Sequence, residues 1–97
     1  MALYSVTAAR YDSELELQAL QGYETNGLTR AVSPTPTVFT VKEVLAQIAK
    51  GDSFDLSFRE RDRGNMVTAG LIVPDGRGAL TEERGGPGRR ISDLPPF

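Results

Sequence analysis

One short helix is the most sharply marked element of this chain, and it restricts the fold to architectures that place a helix among strands. Thr40 and Glu43 form a capping-box pattern, in which each side chain accepts a hydrogen bond from the other residue's backbone amide. Phe39 and Val44 stand at the two positions of a hydrophobic staple. Lys50 follows in the last turn, and a glycine after it suits a left-handed cap. The sequence therefore predicts a helix of about three turns that begins after Thr40.

A hairpin is predicted before the helix. Apolar and polar side chains alternate over residues 4–9 and again over residues 14–19, which is the period of a half-buried strand. The aspartate and serine at 12–13 favour a turn, because their side chains bond to nearby backbone. This register places Leu15 and Leu17 on the buried face.

A second hairpin is predicted after the helix. Phe54, Leu56 and Phe58 alternate with polar residues, and residues 66–73 return as the partner strand. A short strand over residues 79–81 would add to the sheet. The expected fold class is α+β: a mainly antiparallel sheet of four to five strands with one short helix packed on one face, in the order β-hairpin, long loop, helix, β-hairpin. The opposite face of such a sheet would be partly open.

The chain length and the positions of glycine and proline indicate one domain with an irregular C-terminal segment. The 97 residues suffice for a single modest core. Residues 22–36 contain an Asn-Gly turn pair and two prolines, so they are expected to form a long loop. We expect residues 1–83 to form the compact domain and residues 84–97 to be a Gly/Arg-rich loop and a tail, with Leu94 and Phe97 packed over the core edge.

The composition excludes several chemistries. The chain has no cysteine, histidine or tryptophan, so a thiol nucleophile, an imidazole base, a soft zinc site and a disulfide are all excluded. The net charge of −2 gives no reason to expect an anionic membrane or nucleic acid as partner. The first residues carry neither a basic cluster nor an apolar run, so we expect no secretory signal, and no apolar run of about 20 residues occurs in the sequence. We therefore expect a soluble cytoplasmic protein, monomeric or homodimeric, with no cofactor and no metal.

Three stretches carry a family resemblance. Val6–Arg10 is a strand that ends in an arginine, residues 41–54 run from a helix through Ile48 into Gly-Asp-Ser-Phe, and residues 92–97 contain Asp-Leu-Pro. In these stretches the chain resembles a small, mostly bacterial family known as domain of unknown function 3892. It departs from that family in the connection over residues 22–36 and in its Gly/Arg segment. The resemblance implies a compact α+β domain and no known activity, so it assigns no catalytic residue.

Two arginine-rich segments are candidate binding surfaces, one at the tip of the second hairpin and one in the glycine-rich loop. Arginines spaced by glycines can follow a phosphate backbone, because the glycines let backbone amides approach closely. The simpler interpretation is a solvated loop and a charged edge that discourages aggregation, since no aromatic residue is interleaved for base stacking. The candidates are Arg59, Arg61, Arg63, Arg84, Arg89 and Arg90.

Carboxylates supply the remaining acid–base chemistry. Glu14 and Glu16 lie on one face of a predicted strand, and Asp52 and Asp55 flank Phe54. A hydrolase would need two carboxyl groups at a defined separation in a cleft. Solvated surface acids are the simpler interpretation.

These patterns favour a small non-catalytic protein-interaction or adaptor domain, which would use an open sheet face, the hairpin edge or the loop over residues 22–36. The alternative is a nucleic-acid-associated protein that binds through its arginine-rich tip and loop, and a weaker alternative is a carboxylate-based hydrolase. The first is preferred because every distinctive pattern is structural, so we expect no enzymatic activity and a protein as partner.

Overall fold

Among the residues that the structure describes, a mixed six-stranded sheet and one α-helix make up the fold. The structure is a computed structural model that describes residues 2–25, 35–59, 66–83 and 89–97, with the backbone alone described for Arg59 and Met66. Within these ranges the strands follow the spatial order β3-β2-β1-β4-β5-β6. The elements are β1 (Leu3–Tyr11), β2 (Leu17–Thr25), β3 (Thr37–Thr40), α1 (Val41–Ala49), β4 (Ser53–Arg59), β5 (Met66–Pro74), β6 (Leu80–Glu83) and a 3₁₀ turn (Ile91–Asp93).

The capped helix is confirmed. Thr40 Oγ1 accepts from the Glu43 amide and Glu43 Oε1 accepts from the Thr40 amide, both at 3.1 Å. Phe39 and Val44, the staple pair, are both buried in the core. Lys50 is the C-cap residue that follows the last turn, and the next residue is a glycine with a φ of 102°. The start and the end of α1 are thus set by interactions within a few residues.

The sheet has more strands than expected and is mixed. The α+β class with one helix is confirmed, but the estimate of four to five strands was too low. β1 and β4 run parallel with Leu3 opposite Ser53 and Val6 opposite Leu56, and the other described pairings are antiparallel. The missed strand is β3, which has four residues and only one buried side chain, Phe39, so it shows no alternation.

The first hairpin differs from its predicted register. β2 begins at Leu17 and continues to Thr25, through the start of the segment assigned to the long loop. Leu15 lies in the turn with a φ of 62° and is 82% exposed, so its predicted burial was wrong. β2 continues past residue 22 because a glycine is there: a Cβ at Gly22 would lie 2.9 Å from the carbonyl oxygen of Ser5.

The core lies on the face of the sheet that carries α1. Tyr4 stacks on Phe54 with ring centroids 4.9 Å apart, and Phe39 meets both rings edge-on. Val44 is fully buried against this cluster, and Ile48 packs on it from the next turn of the helix. The predicted alternation of β4 is also confirmed, since Phe54, Leu56 and Phe58 are all buried.

The final residues complete this core. Ile91 and Leu94 are both buried in the main cluster. The Ala9 amide of β1 donates to the Pro95 carbonyl at 3.0 Å, so the chain end runs beside the central strand. Arg10 extends the contact, because its guanidinium lies 4.5 Å from the centre of the Phe97 ring. Residues 89–97 are therefore part of the packed structure.

Candidate functional site

A cleft of about 540 Å³ opens at one end of the sheet. β2 contributes Leu17 and β6 contributes Leu80 to its walls, although three strands separate β2 from β6 in the sheet. The sheet therefore curls until its first and last hairpins face each other across the opening. We name this space the turn cleft, because it lies between the turn over residues 12–16 and the turn over residues 75–79.

The two turns share one hydrogen-bonding scheme. In the first, Asp12 Oδ1 accepts from the amides of Glu14 and Glu16 at 2.9 and 3.0 Å. In the second, Asp75 Oδ1 accepts from the amides of Arg77 and Ala79 at 2.7 and 3.1 Å. In both turns the aspartate amide also donates to the carbonyl four residues later. These bonds use turn-forming aspartates to fix the two walls of the cleft.

The turns differ at the third residue after the aspartate. In the second turn this position is Gly78, with a φ of 83°. In the first it is Leu15, with a φ of 62°. Glycine adopts this conformation without a steric penalty, whereas a side chain makes it cost about 1–2 kcal/mol. The first turn thus holds an exposed leucine in an unfavourable conformation, one residue before the cleft-lining Glu16.

The cleft combines apolar walls with an acidic rim. Leu17, Val41 and Leu80 are half-buried lining residues, and Ile91 is a buried one. The helix contributes only its first residue. This set of surfaces can contact the carbon chain of a ligand and remove it from water.

The polar lining consists of one phenol, two carboxylates and one hydroxyl. Glu16 is exposed and ends the first turn. Tyr11 lines the cleft from β1, and Glu82 lines it from β6. Burial raises the pKa of the Tyr11 phenol, and the carboxylates of Glu82 and Asp93 raise it further. Among the described residues, no lysine or arginine lines the cleft. The charged side chains of the described lining are therefore carboxylates, which attract a cation.

Sequence reasoning identified only part of this site. Glu16 was a candidate, but as the partner of Glu14, whose side chain does not line the cleft. Tyr11 and Glu82 were missed, and no local pattern could have indicated them. They meet only because the sheet curls.

The remaining predicted carboxylates lie elsewhere. Asp52 Oδ1 accepts from the Ala2 amide at 2.9 Å and so ties the start of β1 to β4. Asp55 is buried on the helix-free face, where Ser57 donates to it at 3.4 Å. Burial raises the pKa of the Asp55 carboxyl, and hydrogen bonds from Ser5 and Ser57 act in the opposite direction. Among the described residues, no three carboxylates gather into a group that could hold a metal.

The arginine surface is described only in part. Arg61, Arg63 and Arg84 lie outside the described residues, as do residues 26–34 of the predicted loop, and of Arg59 only the backbone is described. The Arg89 guanidinium lies 5.2 Å from the centre of the Phe58 ring, so it packs against the core edge. The exposed Arg90 donates its amide to Asp93 Oδ2 at 2.9 Å. The arginine-rich binding surface stays a prediction.

The helix-free face of the sheet carries scattered apolar residues. Val38 on β3 is 50% exposed and Leu71 on β5 is 43% exposed, with three strands between them. Asp55 and its serine partners occupy the middle of this face. The two apolar residues do not form one continuous patch among the described residues.

Comparisons of the chain with protein-family models, with curated proteins and with solved structures gave no match. The resemblance to domain of unknown function 3892 therefore stays a prediction. The α-helix of the described residues has nine residues and is too short to cross a membrane.

Proposed function

We propose that this chain is a non-catalytic protein-interaction domain that receives a partner segment at the turn cleft. The observation that carries the proposal is Leu15, an exposed apolar side chain held at a positive φ beside the cleft. The equivalent position of the second turn is Gly78, so the scheme itself does not require a side chain there. Strained residues of this kind cluster at functional sites, where the surrounding structure holds them in place.

The size of the cleft limits how many side chains of a partner can enter it. Its volume of about 540 Å³ falls in the usual range for small-ligand pockets, about 300–1,000 Å³. A space of this size accommodates one or two side chains of an extended segment. Leu15 would then contact the partner outside the cleft, and the side chain inside would fix the register.

The other surfaces of the sheet support docking less well. The edge strands β3 and β6 have four residues each, and short edges are poor templates for adding another strand. The helix-free face has the buried Asp55 at its centre and its exposed apolar residues far apart. The turn cleft is therefore the surface on which the proposal rests.

Selection of peptides from a random phage-displayed library on the immobilised whole chain tests the proposal. Peptides that bind through the turn cleft should bind Leu15→Gly and Leu15→Ala about tenfold more weakly, because the apolar contact beside the cleft is lost. Leu71→Ala is the matched control, since it removes an exposed leucine from the helix-free face and should leave binding unchanged. Failure to enrich any peptide, or equal binding to all four proteins, would contradict the proposal.

A further inference from the structure

We propose that the side chain received by the turn cleft is an arginine of the partner, with its guanidinium placed between the carboxylates of Glu16 and Glu82. This inference rests on the proposed function and names the chemistry of the partner segment. It is argued from the charge of the rim, from the apolar walls and from the difference between the two basic side chains.

Charge complementarity is the first argument. Glu16 and Glu82 are the two carboxylates of the lining, and they come from opposite walls. Neither forms an ion pair within the described ranges, and no lysine or arginine among those residues lines the cleft. The Tyr11 phenol titrates above its ordinary pKa, first because of burial and then because of Glu82 and Asp93. A cation entering this space meets fixed negative charge on two sides.

The apolar walls are the second argument. A bare cation would gain nothing from Leu17, Val41 and Leu80, yet these residues line the cleft together with the two carboxylates. A long basic side chain uses both parts, because its carbon stem covers apolar surface while its charged end stays at the rim. Ile91, which is buried, adds further apolar lining.

The choice of arginine over lysine follows from hydration and shape. A guanidinium is more weakly hydrated than an ammonium, so it loses less when it enters a half-buried space. Its planar fork can donate to two carboxylates at once and can stack on an aromatic ring such as that of Tyr11. A lysine would meet the same charges as a compact, strongly hydrated ion.

The test uses small analogues of the side chains in titrations followed by ¹⁵N correlation spectra of the whole chain. Butylguanidinium should shift the amide signals of Glu16, Leu80 and Glu82, with the shifts weakened by added salt. Butylammonium should bind more weakly. Butylurea, which has a similar shape and no charge, should leave these signals in place.

Matched variants then test whether the carboxylates of Glu16 and Glu82 bind the guanidinium. Glu16→Gln and Glu82→Gln should each weaken butylguanidinium binding about fivefold, as expected for one half-exposed ion pair. The controls are Glu14→Gln and Glu83→Gln, because these neighbouring carboxylates do not line the cleft and should leave the affinity unchanged. Neither Glu16 nor Glu82 uses its side chain in a described hydrogen bond of the fold, so both variants should fold.

The outcomes distinguish a failure of the arginine assignment from a failure of the proposed interaction function. Cleft shifts with butylguanidinium that depend on Glu16 and Glu82 support it. Shifts that are equal for butylurea, or that persist in both cleft variants, overturn it. If selected peptides depend on Leu15 but show no preference for arginine, the interaction domain stands and the arginine assignment falls. Concentration-dependent self-association lost in Glu16→Gln would identify the arginine donor as a second copy of this chain.

Discussion

Replacing Leu15 with glycine should make the domain more stable. The residue has a φ of 62° and is 82% exposed, so the change removes little buried surface. Relief of the left-handed conformation is worth about 1–2 kcal/mol, and the greater freedom of glycine in the unfolded chain offsets about 0.5–1 kcal/mol of that. The expected net gain in the free energy of unfolding is about 0.5–1 kcal/mol, which corresponds to a rise in Tm of roughly 4 °C.

Two control variants isolate the backbone contribution. Leu15→Ala keeps the Cβ and therefore the strain, so its stability should stay within about 0.5 kcal/mol of the parent. Gly78→Ala introduces the same strain into the second turn and should lose about 1 kcal/mol. A Cβ at Gly78 would have no atom within 4 Å, so this loss would be purely conformational.

Urea denaturation of the parent, Leu15→Gly, Leu15→Ala and Gly78→Ala measures these differences in the free energy of unfolding. The comparison requires that the slope of the unfolding free energy against urea concentration is the same for all four proteins. If Leu15→Gly were no more stable than Leu15→Ala, the conformation of residue 15 would not be strained. The argument that the first turn retains its leucine at a cost to stability would then fail, and the proposed function would lose its main support.

Four further changes test the fold. Thr40→Ala should lower the free energy of unfolding by about 1 kcal/mol in urea denaturation, because it removes the N-cap oxygen; no change would place the helix start elsewhere. Gly22→Ala should cost about 1–3 kcal/mol by the same measurement, since its Cβ would lie 2.9 Å from a carbonyl oxygen of β1, and full stability would mean that the strands separate easily. Leu94→Ala should cost about 2–5 kcal/mol if the chain end belongs to the core, whereas a negligible loss would show that it does not. Asp55 should contribute stability that is fully present below the pKa of an unfolded aspartate and decreases as the pH rises through the raised folded pKa. Asp55→Asn removes this decrease, so the free energy of unfolding should rise more steeply with pH on the acid side and should exceed that of the parent at neutral pH. A stability–pH curve unchanged by the substitution would refute this reasoning.

The helix could be predicted from the sequence because its determinants are local. Thr40 and Glu43 are three residues apart, and their reciprocal hydrogen bonds need no other part of the chain. The strand β4 could be predicted equally well, since the alternation that places Phe54 and Phe58 on one face is contained within a few residues. In both cases the pattern and the tertiary packing agree, so local reasoning was sufficient.

The first turn could not be predicted in this way. The alternation of residues 14–19 continues through the turn, and it indicates burial for Leu15. The side chain of Asp12 decides otherwise, because it binds the amides of Glu14 and Glu16 and holds the chain out of the strand. A competing side-chain hydrogen bond thus overrides the hydrophobic period.

The turn cleft depends on the curl of the sheet. Its ionisable residues come from β1 (Tyr11), from the first turn (Glu16) and from β6 (Glu82), and no local sequence pattern relates β6 to the other two. The predicted start of the long loop at residue 22 was wrong for a similar reason, because β2 continues to Thr25. Gly22 resembles a loop residue in the sequence, but its missing Cβ is what lets β2 pass close to β1.

The pairing of β1 with β4 has a consequence for how the chain acquires its structure. The hairpin of β1 and β2 and the hairpin of β4 and β5 each form between neighbouring segments, whereas Leu3 must find Ser53 about 50 residues away. Closing a long loop before any contact rewards it is slow. The rate-limiting step of folding should therefore be the docking of the two preformed hairpin halves through the pairing of β1 with β4. Substitutions in the two aspartate turns should then slow folding and leave the unfolding rate nearly unchanged, because both hairpins are already formed when the halves meet.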